Sequence, residues 1–261
     1  MILSDRGKLF AEINAIADLA GEEIMQFYRG EMHVQRKADN SPVTAADEAA
    51  ERIIIAGLQR LTPNIPVVAE EEAAKGKTIK VGTQPFWLVD PLDGTKEFIA
   101  HRDQFTVNIA LIEDFSPTMG IVLAPALRTS YATDGQGTAV RRVEKNPPEP
   151  ISARPIPEKN VIVTASRSHG DRTKMQELIK DYAISNVLIS GSSIKFCMIA
   201  SGEADIYPRY GPTSEWDIAA GHAVLKAAGG SVKTLDGKEI RYRKSDFRNP
   251  EFVAYGNLGD T

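Results

Sequence analysis

Phe10, Ile13, Ile16, Ala17, Ala20, Ile24 and Phe27 recur every three or four residues. That spacing predicts a helix with one apolar stripe, opened by Ser4 as N-cap and closed near Gly30. Residues 36–43 are polar and read as a loop. Thr44 then opens a second helix with Ile53, Ile54, Leu58 and Leu61 on its inner side, and Pro63-Asn64-Ile65-Pro66 ends it. Val67-Val68-Ala69 is a short apolar strand that delivers Glu70, Glu71 and Glu72 at its end. Residues 85–89 form the next strand, which Asp90-Pro91 is expected to break, because proline has no N–H to give a sheet. Phe105, Val107, Ile109 and Leu111 alternate with Thr106, Asn108 and Ala110, the pattern of a strand buried on one face. Further strands are expected near 118–124, 129–133 and 138–143, with 134–137 as a hairpin turn.

Five prolines within residues 145–158 mark a linker. It predicts a seam between an α+β half, 1–146, and an α/β half, 147–261. In the second half, strands are expected at 161–163, 186–189, 204–207, 231–235 and 252–255. Helices are expected at 171–181, 193–200 and 216–228, the last ending at Gly229-Gly230. The two halves should pack as layers into one compact unit.

The formal net charge is −4. A protein that coats a nucleic-acid polymer needs a broad basic face, so the charge balance argues against that partner. A small anionic ligand stays compatible if metal ions and a few placed Lys or Arg side chains supply local positive charge. Cys197 is the only cysteine, which excludes an intrachain disulfide and a thiolate metal cluster. Its apolar surroundings read as a packed helix and an inert thiol, in keeping with a reducing cytoplasm. No apolar run approaches the ~20 residues of a membrane-spanning helix, and the N-terminus lacks a signal-peptide pattern.

The candidate chemistry lies in Trp87-Leu88-Val89-Asp90-Pro91-Leu92-Asp93-Gly94-Thr95. Two carboxylates three residues apart on a stiff turn suit a hard cation, which prefers oxygen ligands. Gly94 lets the backbone approach a ligand. Each acidic segment also has a plainer reading. Asp-Pro-x-Asp-Gly occurs in ordinary turns. Asp217 could simply cap a helix, and Thr44-Ala45-Ala46-Asp47 could be a capping box and nothing more.

Asp90-Pro91-Leu92-Asp93-Gly94-Thr95 resembles the signature of the inositol monophosphatase superfamily of metal-dependent phosphatases. Trp216-Asp217-Ile218-Ala219-Ala220-Gly221 resembles its second signature, and Glu70-Glu71 and Thr44 to Asp47 fall in the matching places. The likeness runs from about residue 8 to 255. It implies a layered αβαβα sandwich. Residues 37–44, 191–197 and 207–213 are similar to the bacterial 3′(2′),5′-bisphosphate nucleotidases within that superfamily. This implies a phosphorylated nucleotide as partner: adenosine 3′,5′-bisphosphate, cleaved to AMP and phosphate, with its 5′-phosphosulfate counterpart as a further substrate in sulfur assimilation.

The resemblance also implies roles. Glu70, Asp90 and the Leu92 carbonyl would hold one Mg²⁺, and Asp90, Asp93 and Asp217 a second, with room for a third, weaker ion at Glu70. Such ion pairs sit about 3.5–4 Å apart. Without cations, carboxylates ~4 Å apart repel by about 4 kcal/mol at an effective dielectric of 20. Thr95 and Asp47 would activate water, with Glu70 assisting. The amides of Gly94 and Thr95 would bind phosphate. Asp93, Ser192, Lys195, Arg209 and Asp217 would meet the substrate, and His169 would stack on adenine. The resemblance allows a homodimer and a place on the cytoplasmic face of a membrane. Rival readings are inositol or sugar phosphates on the same metals, a phosphoaspartate enzyme, and a nucleotide-binding regulator. The phosphoaspartate motif, Asp-x-Asp-Gly-Thr, is one residue shorter than the spacing here.

Overall fold

A computed structural model of the chain describes residues 5–30, 34–36, 42–77, 80–167, 174, 177, 180 and 182–259. Asp5 caps α1 (Arg6–Arg29), its carboxylate accepting from the Lys8 N–H at 3.0 Å. Ser4, expected in that role, lies outside the described residues. Leu9, Ile13, Ile16, Ala17, Ala20 and Ile24 are the buried stripe. The stretch read as a loop holds a two-stranded antiparallel ribbon, β1 (Val34–Arg36) and β2 (Pro42–Thr44). Three-residue strands are too short for alternation to show. Thr44 is the N-cap of α2 (Ala45–Leu61), and its capping box with Asp47 is fully formed.

A sheet of seven described strands follows in chain order: β3 (Val67–Ala69), β4 (Phe86–Asp93), β5 (Thr106–Glu113), β6 (Ser116–Ala124), β7 (Thr129–Thr133), β8 (Ala139–Val143) and β9 (Glu149–Ile151). Only β3 and β4 pair in parallel. Two five-residue helices, α3 (Glu70–Ala74) and α4 (Thr95–Ile99), leave the ends of β3 and β4. The seam expected after residue 146 falls before β9, which still belongs to this sheet.

Two expectations change here. Pro91 does not stop β4, which runs on to Asp93. The pairing with β5 shifts register between Asp90 and Asp93, and a proline is tolerated at such a bulge. Nor is β5 exposed on one side. Thr106, Asn108 and Ala110 are as buried as their apolar neighbours, because a second helix layer covers that face.

That layer is α5 (Ile194–Ala200) and α6 (Glu215–Ala227). Behind it lies the second sheet, in the order β11-β10-β12-β14-β13, formed by β10 (Lys159–Ala165), β11 (Ala183–Ile189), β12 (Ile206–Arg209), β13 (Ser231–Thr234) and β14 (Phe252–Tyr255). The helix expected at 171–181 falls almost wholly outside the described residues. The layers are α1/α2, sheet, α5/α6, sheet. One core joins Phe86, Leu88 and Val122 of the first sheet to Phe196, Ile218 and Phe252. Another packs α1 and α2 on the far face. Cys197 is buried in the first core. No helix among the described residues is long and apolar enough to cross a membrane.

Candidate active site

The ends of β3, β4 and β12 and the start of α6 meet around a cleft of about 260 Å³. Glu70, Asp90 and Asp217 each place one carboxylate oxygen within 4.8 Å of the others. Glu70 is the first residue of α3, Asp90 lies in β4 and Asp217 in the first turn of α6. Asp217 Oδ2 accepts from the Ser214 N–H at 2.9 Å, closing a capping box. Capping and membership of the triad therefore occur together.

Asp93 does not join the triad. Its Oδ2 accepts from the Ser193 N–H at 2.7 Å and from Asn108 Nδ2 at 3.4 Å. Burial, opposed by Lys195 and reinforced by Glu70, pushes its carboxyl up to about 6. Burial, with Glu70 and Asp93 adding to it, raises Asp217 well above the ordinary carboxylate range. Acids that resist ionisation side by side, with only oxygen donors to offer, make a set that a hard divalent cation fits, because the cation restores the charged form.

Asp47 sits on the other side of β4. Its Oδ2 accepts from the Thr44 N–H at 2.8 Å and the Thr44 hydroxyl at 2.6 Å, while Oδ1 accepts from Thr95 Oγ1 at 3.2 Å. The Thr95 hydroxyl has a second acceptor in the Leu92 carbonyl at 3.3 Å. Gly94 precedes α4 with φ of 94°, in the left-handed region, and a Cβ there would meet the Gln104 carbonyl at 3.1 Å. Only glycine suits that position without strain.

Two cations line the same cleft. Lys195 is 3% exposed and Arg209 9%. The Lys195 ammonium donates to the Ser190 and Ser192 carbonyls and lies 5.1 Å above the Tyr207 ring. Arg209 donates to Ser166 Oγ and to the Pro212 carbonyl, each at 3.0 Å, and its Nε has no partner among the described residues. Ser192 also lines the cleft, with φ of 47° and a buried hydroxyl that has no partner among the described residues. His169 and residues 37–41 lie outside the described residues.

Sequence reasoning missed Asn108, Ser193 and Ser166. Asn108 was read as an outward position of β5. A lone amide among apolar residues was the available signal, but only the cover of α5 and α6 makes it interior.

The inositol monophosphatase family model matches residues 7–256. The 3′(2′),5′-bisphosphate nucleotidase CysQ of Escherichia coli (strain K12) is 44% identical over 245 residues, covering 92% of this chain and 97% of that protein. The CysQ of Salmonella typhimurium (strain LT2) is 44% identical, with 94% and 98% covered. The crystal structure of CysQ from Bacteroides thetaiotaomicron superposes with a TM-score of 0.79 at 34% identity, covering 97% of this chain and 98% of that one. An IMPase of Thermotoga maritima gives 0.79 at 25% identity, with 97% and 93% covered. With the acidic triad and the layer order already in place, these likenesses close the question of kinship: the chain belongs to the inositol monophosphatase family.

Proposed function

We infer that the chain is a Mg²⁺-dependent phosphomonoesterase that removes the 3′-phosphate of adenosine 3′,5′-bisphosphate, releasing AMP and phosphate. One observation carries the reading: two members of the carboxylate triad, Glu70 and Asp217, line the same cleft as two buried cations, Lys195 and Arg209. Neither cation makes an ion pair among the described residues. Their charge is met only at longer range, by Asp93 and Asp217. A cleft that offers both carboxylates for a cation and buried cations for an anion suits a substrate with two phosphates, one to be cut and one to be gripped.

In this reading Glu70, Asp90 and the Leu92 carbonyl would hold one Mg²⁺, and Asp90, Asp93 and Asp217 would hold a second, with a third, weaker ion at Glu70. Bound there, the metal supplies positive charge for the phosphoryl oxygens and acidifies water. The chain's own part is proton handling and orientation. The Thr95 hydroxyl donates to Asp47, so its lone pairs are free to accept from a water facing the phosphorus. As that water's oxygen bonds to phosphorus and the P–O3′ bond breaks, one water proton passes to Thr95 Oγ1 and the threonine's own proton to Asp47 Oδ1. The departing 3′-oxygen takes a proton from solvent. Glu70, on the same rim, assists the proton's removal. The amides of Gly94 and Thr95 donate to the phosphoryl group, and Ser192 offers its hydroxyl to the nucleotide.

Phosphate release from adenosine 3′,5′-bisphosphate, inositol 1-phosphate and fructose 1,6-bisphosphate, with Mg²⁺ and with chelator, tests this. The expected result is release mainly from the nucleotide, abolished by chelator. A preference for inositol 1-phosphate would move the reading to a sugar-phosphate esterase. Absence of release from all three would leave a binder.

A further inference from the structure

Asn108 is the third residue of β5, 1% exposed, directly across from Asp90 in the strand register. Its side-chain nitrogen donates to Ser193 Oγ at 3.1 Å and to Asp93 Oδ2 at 3.4 Å. The Ser193 hydroxyl, accepting from Asn108, donates in turn to the main-chain carbonyl of Asp217 at 2.7 Å. The Ser193 N–H meets Asp93 Oδ2 at 2.7 Å. One unbroken chain of hydrogen bonds thus runs from Asp93, at the end of the first sheet, through β5 and the N-cap of α5 to the first turn of α6.

We propose that Asn108 and Ser193 are positioning residues that set the spacing between the acidic side chains of the first sheet and Asp217, and so tune the site's hold on divalent metal. The inference rests on the metal-dependent reading above. The donor set of Asn108 supports it. With the amide reversed, its oxygen would face the Asp93 carboxylate, acceptor against acceptor. In the orientation observed, the oxygen Oδ1 is buried with no partner among the described residues. What the site uses is the pair of N–H groups. They commit one oxygen of Asp93 to the protein interior, and they orient the Ser193 hydroxyl so that its single hydrogen points at α6. An aspartate of the same shape would bring a like charge to Asp93 and no donor. A leucine would leave Ser193 and Asp93 without this tie.

The test uses full-length Asn108→Leu, Ser193→Ala and the double variant. Each is checked for fold by circular dichroism and melting, then for Mg²⁺ affinity by calorimetry and for kcat and KM on adenosine 3′,5′-bisphosphate. Loss of an outer hydrogen-bonding partner of a metal site typically costs about 10–100-fold in affinity or activity. Asn108→Leu is expected to weaken Mg²⁺ binding and lower kcat by about that factor, while KM changes little because Lys195 and Arg209 are untouched. Ser193→Ala should follow in the same direction. The double variant should lose little more than the worse single one, because both cut one chain. Wild-type Mg²⁺ affinity and kcat in folded Asn108→Leu overturn the proposal, as do losses that multiply in the double variant. If Asn108→Leu does not fold, Ser193→Ala decides, since it removes a single oxygen atom and leaves the rest of the packing in place; unchanged Mg²⁺ affinity there overturns it. A wild-type enzyme that binds Mg²⁺ but leaves the bisphosphate intact counts against the proposed substrate instead, and the calorimetric comparison still decides the role of Asn108.

Discussion

The two oxygens of Asp47 point different ways. Oδ2 is held by the Thr44 amide and hydroxyl as part of the α2 cap, and Oδ1 is turned to Thr95. An asparagine at 47 can keep its carbonyl on the Thr44 amide, but it then turns an N–H pair toward Thr95 and cannot take that proton. Asp47→Asn should therefore lower kcat by about 100-fold or more, the usual scale for a lost general base, while thermal melting shows the fold little changed. A near-normal kcat would remove Asp47 from the mechanism. His222 makes a different point, away from the acidic triad. It is almost fully buried, with Nδ1 3.0 Å from the Tyr242 hydroxyl, and burial, with Lys226 adding to it, lowers its pKa to about 3. Above pH 6.5 the ring is neutral in both folded and unfolded chains, and the full stability is present. As the pH falls from 6.5 toward 3, only the unfolded chain takes up the proton, and stability drains at about 1.4 kcal/mol per pH unit. His222→Gln keeps a polar partner for Tyr242 and does not titrate. Urea unfolding should show it losing about 2 kcal/mol less than wild type between pH 7 and 5; equal losses would show that the ring charges freely in the fold.

Helix α3 brings Glu70 to the cleft, yet it has no cap of its own: Ala69 precedes it and offers no side-chain oxygen. Glu51, one element back on α2, supplies one. Its Oε2 accepts from the Glu71 N–H at 2.8 Å, and burial first of all pushes its carboxyl up to about 7. Glu51→Gln preserves the acceptor and should melt close to wild type at pH 7. Glu51→Ala removes it, with an expected cost of about 1 kcal/mol for an N-cap. The loosened first turn of α3 should also weaken Mg²⁺ binding by about tenfold, measured by calorimetry. Equal Mg²⁺ affinity in both variants would reduce Glu51 to a fold-stabilising role. Elements of this kind separate what was legible in the chain from what was not. The stripe of α1, the Thr44 cap and the 129–133 and 252–255 strands follow from spacing and local chemistry, and they stand where expected. The passage of β4 through Pro91 and the burial of both faces of β5 do not, because each depends on a partner far along the chain. The β1–β2 ribbon is too short to leave a pattern.

Across the whole molecule, the acidic side chains of the site were readable because Asp90, Asp93 and Thr95 lie within six residues and Glu70 follows an apolar strand. The paths by which Asp93 is tied to Asn108 and Ser193 were not, since they exist only once α5 packs on β5. The two cations stand between these cases. Lys195 comes from α5 and Arg209 from β12, on the two layers behind the first sheet, and their convergence on one cleft is a product of the layer packing. Their environments set the last expectation. The hydrogen bonds of the Lys195 ammonium go to carbonyl oxygens, beside the Tyr207 face, and the Nε of Arg209 is buried without a partner among the described residues. A second phosphate entering the cleft gives each a charged acceptor, worth about 1.5–3 kcal/mol per hydrogen bond. Lys195→Met keeps the stem against Tyr207 and removes the charge, and Arg209→Met does the same on β12. Either change should raise KM for adenosine 3′,5′-bisphosphate by about tenfold or more. KM for adenosine 3′-monophosphate, which has no second phosphate to lose, should move far less. The ratio of the two KM changes is the quantity to measure, because a general loosening of the cleft raises both together. Parallel increases would take the second-phosphate role away from this pair.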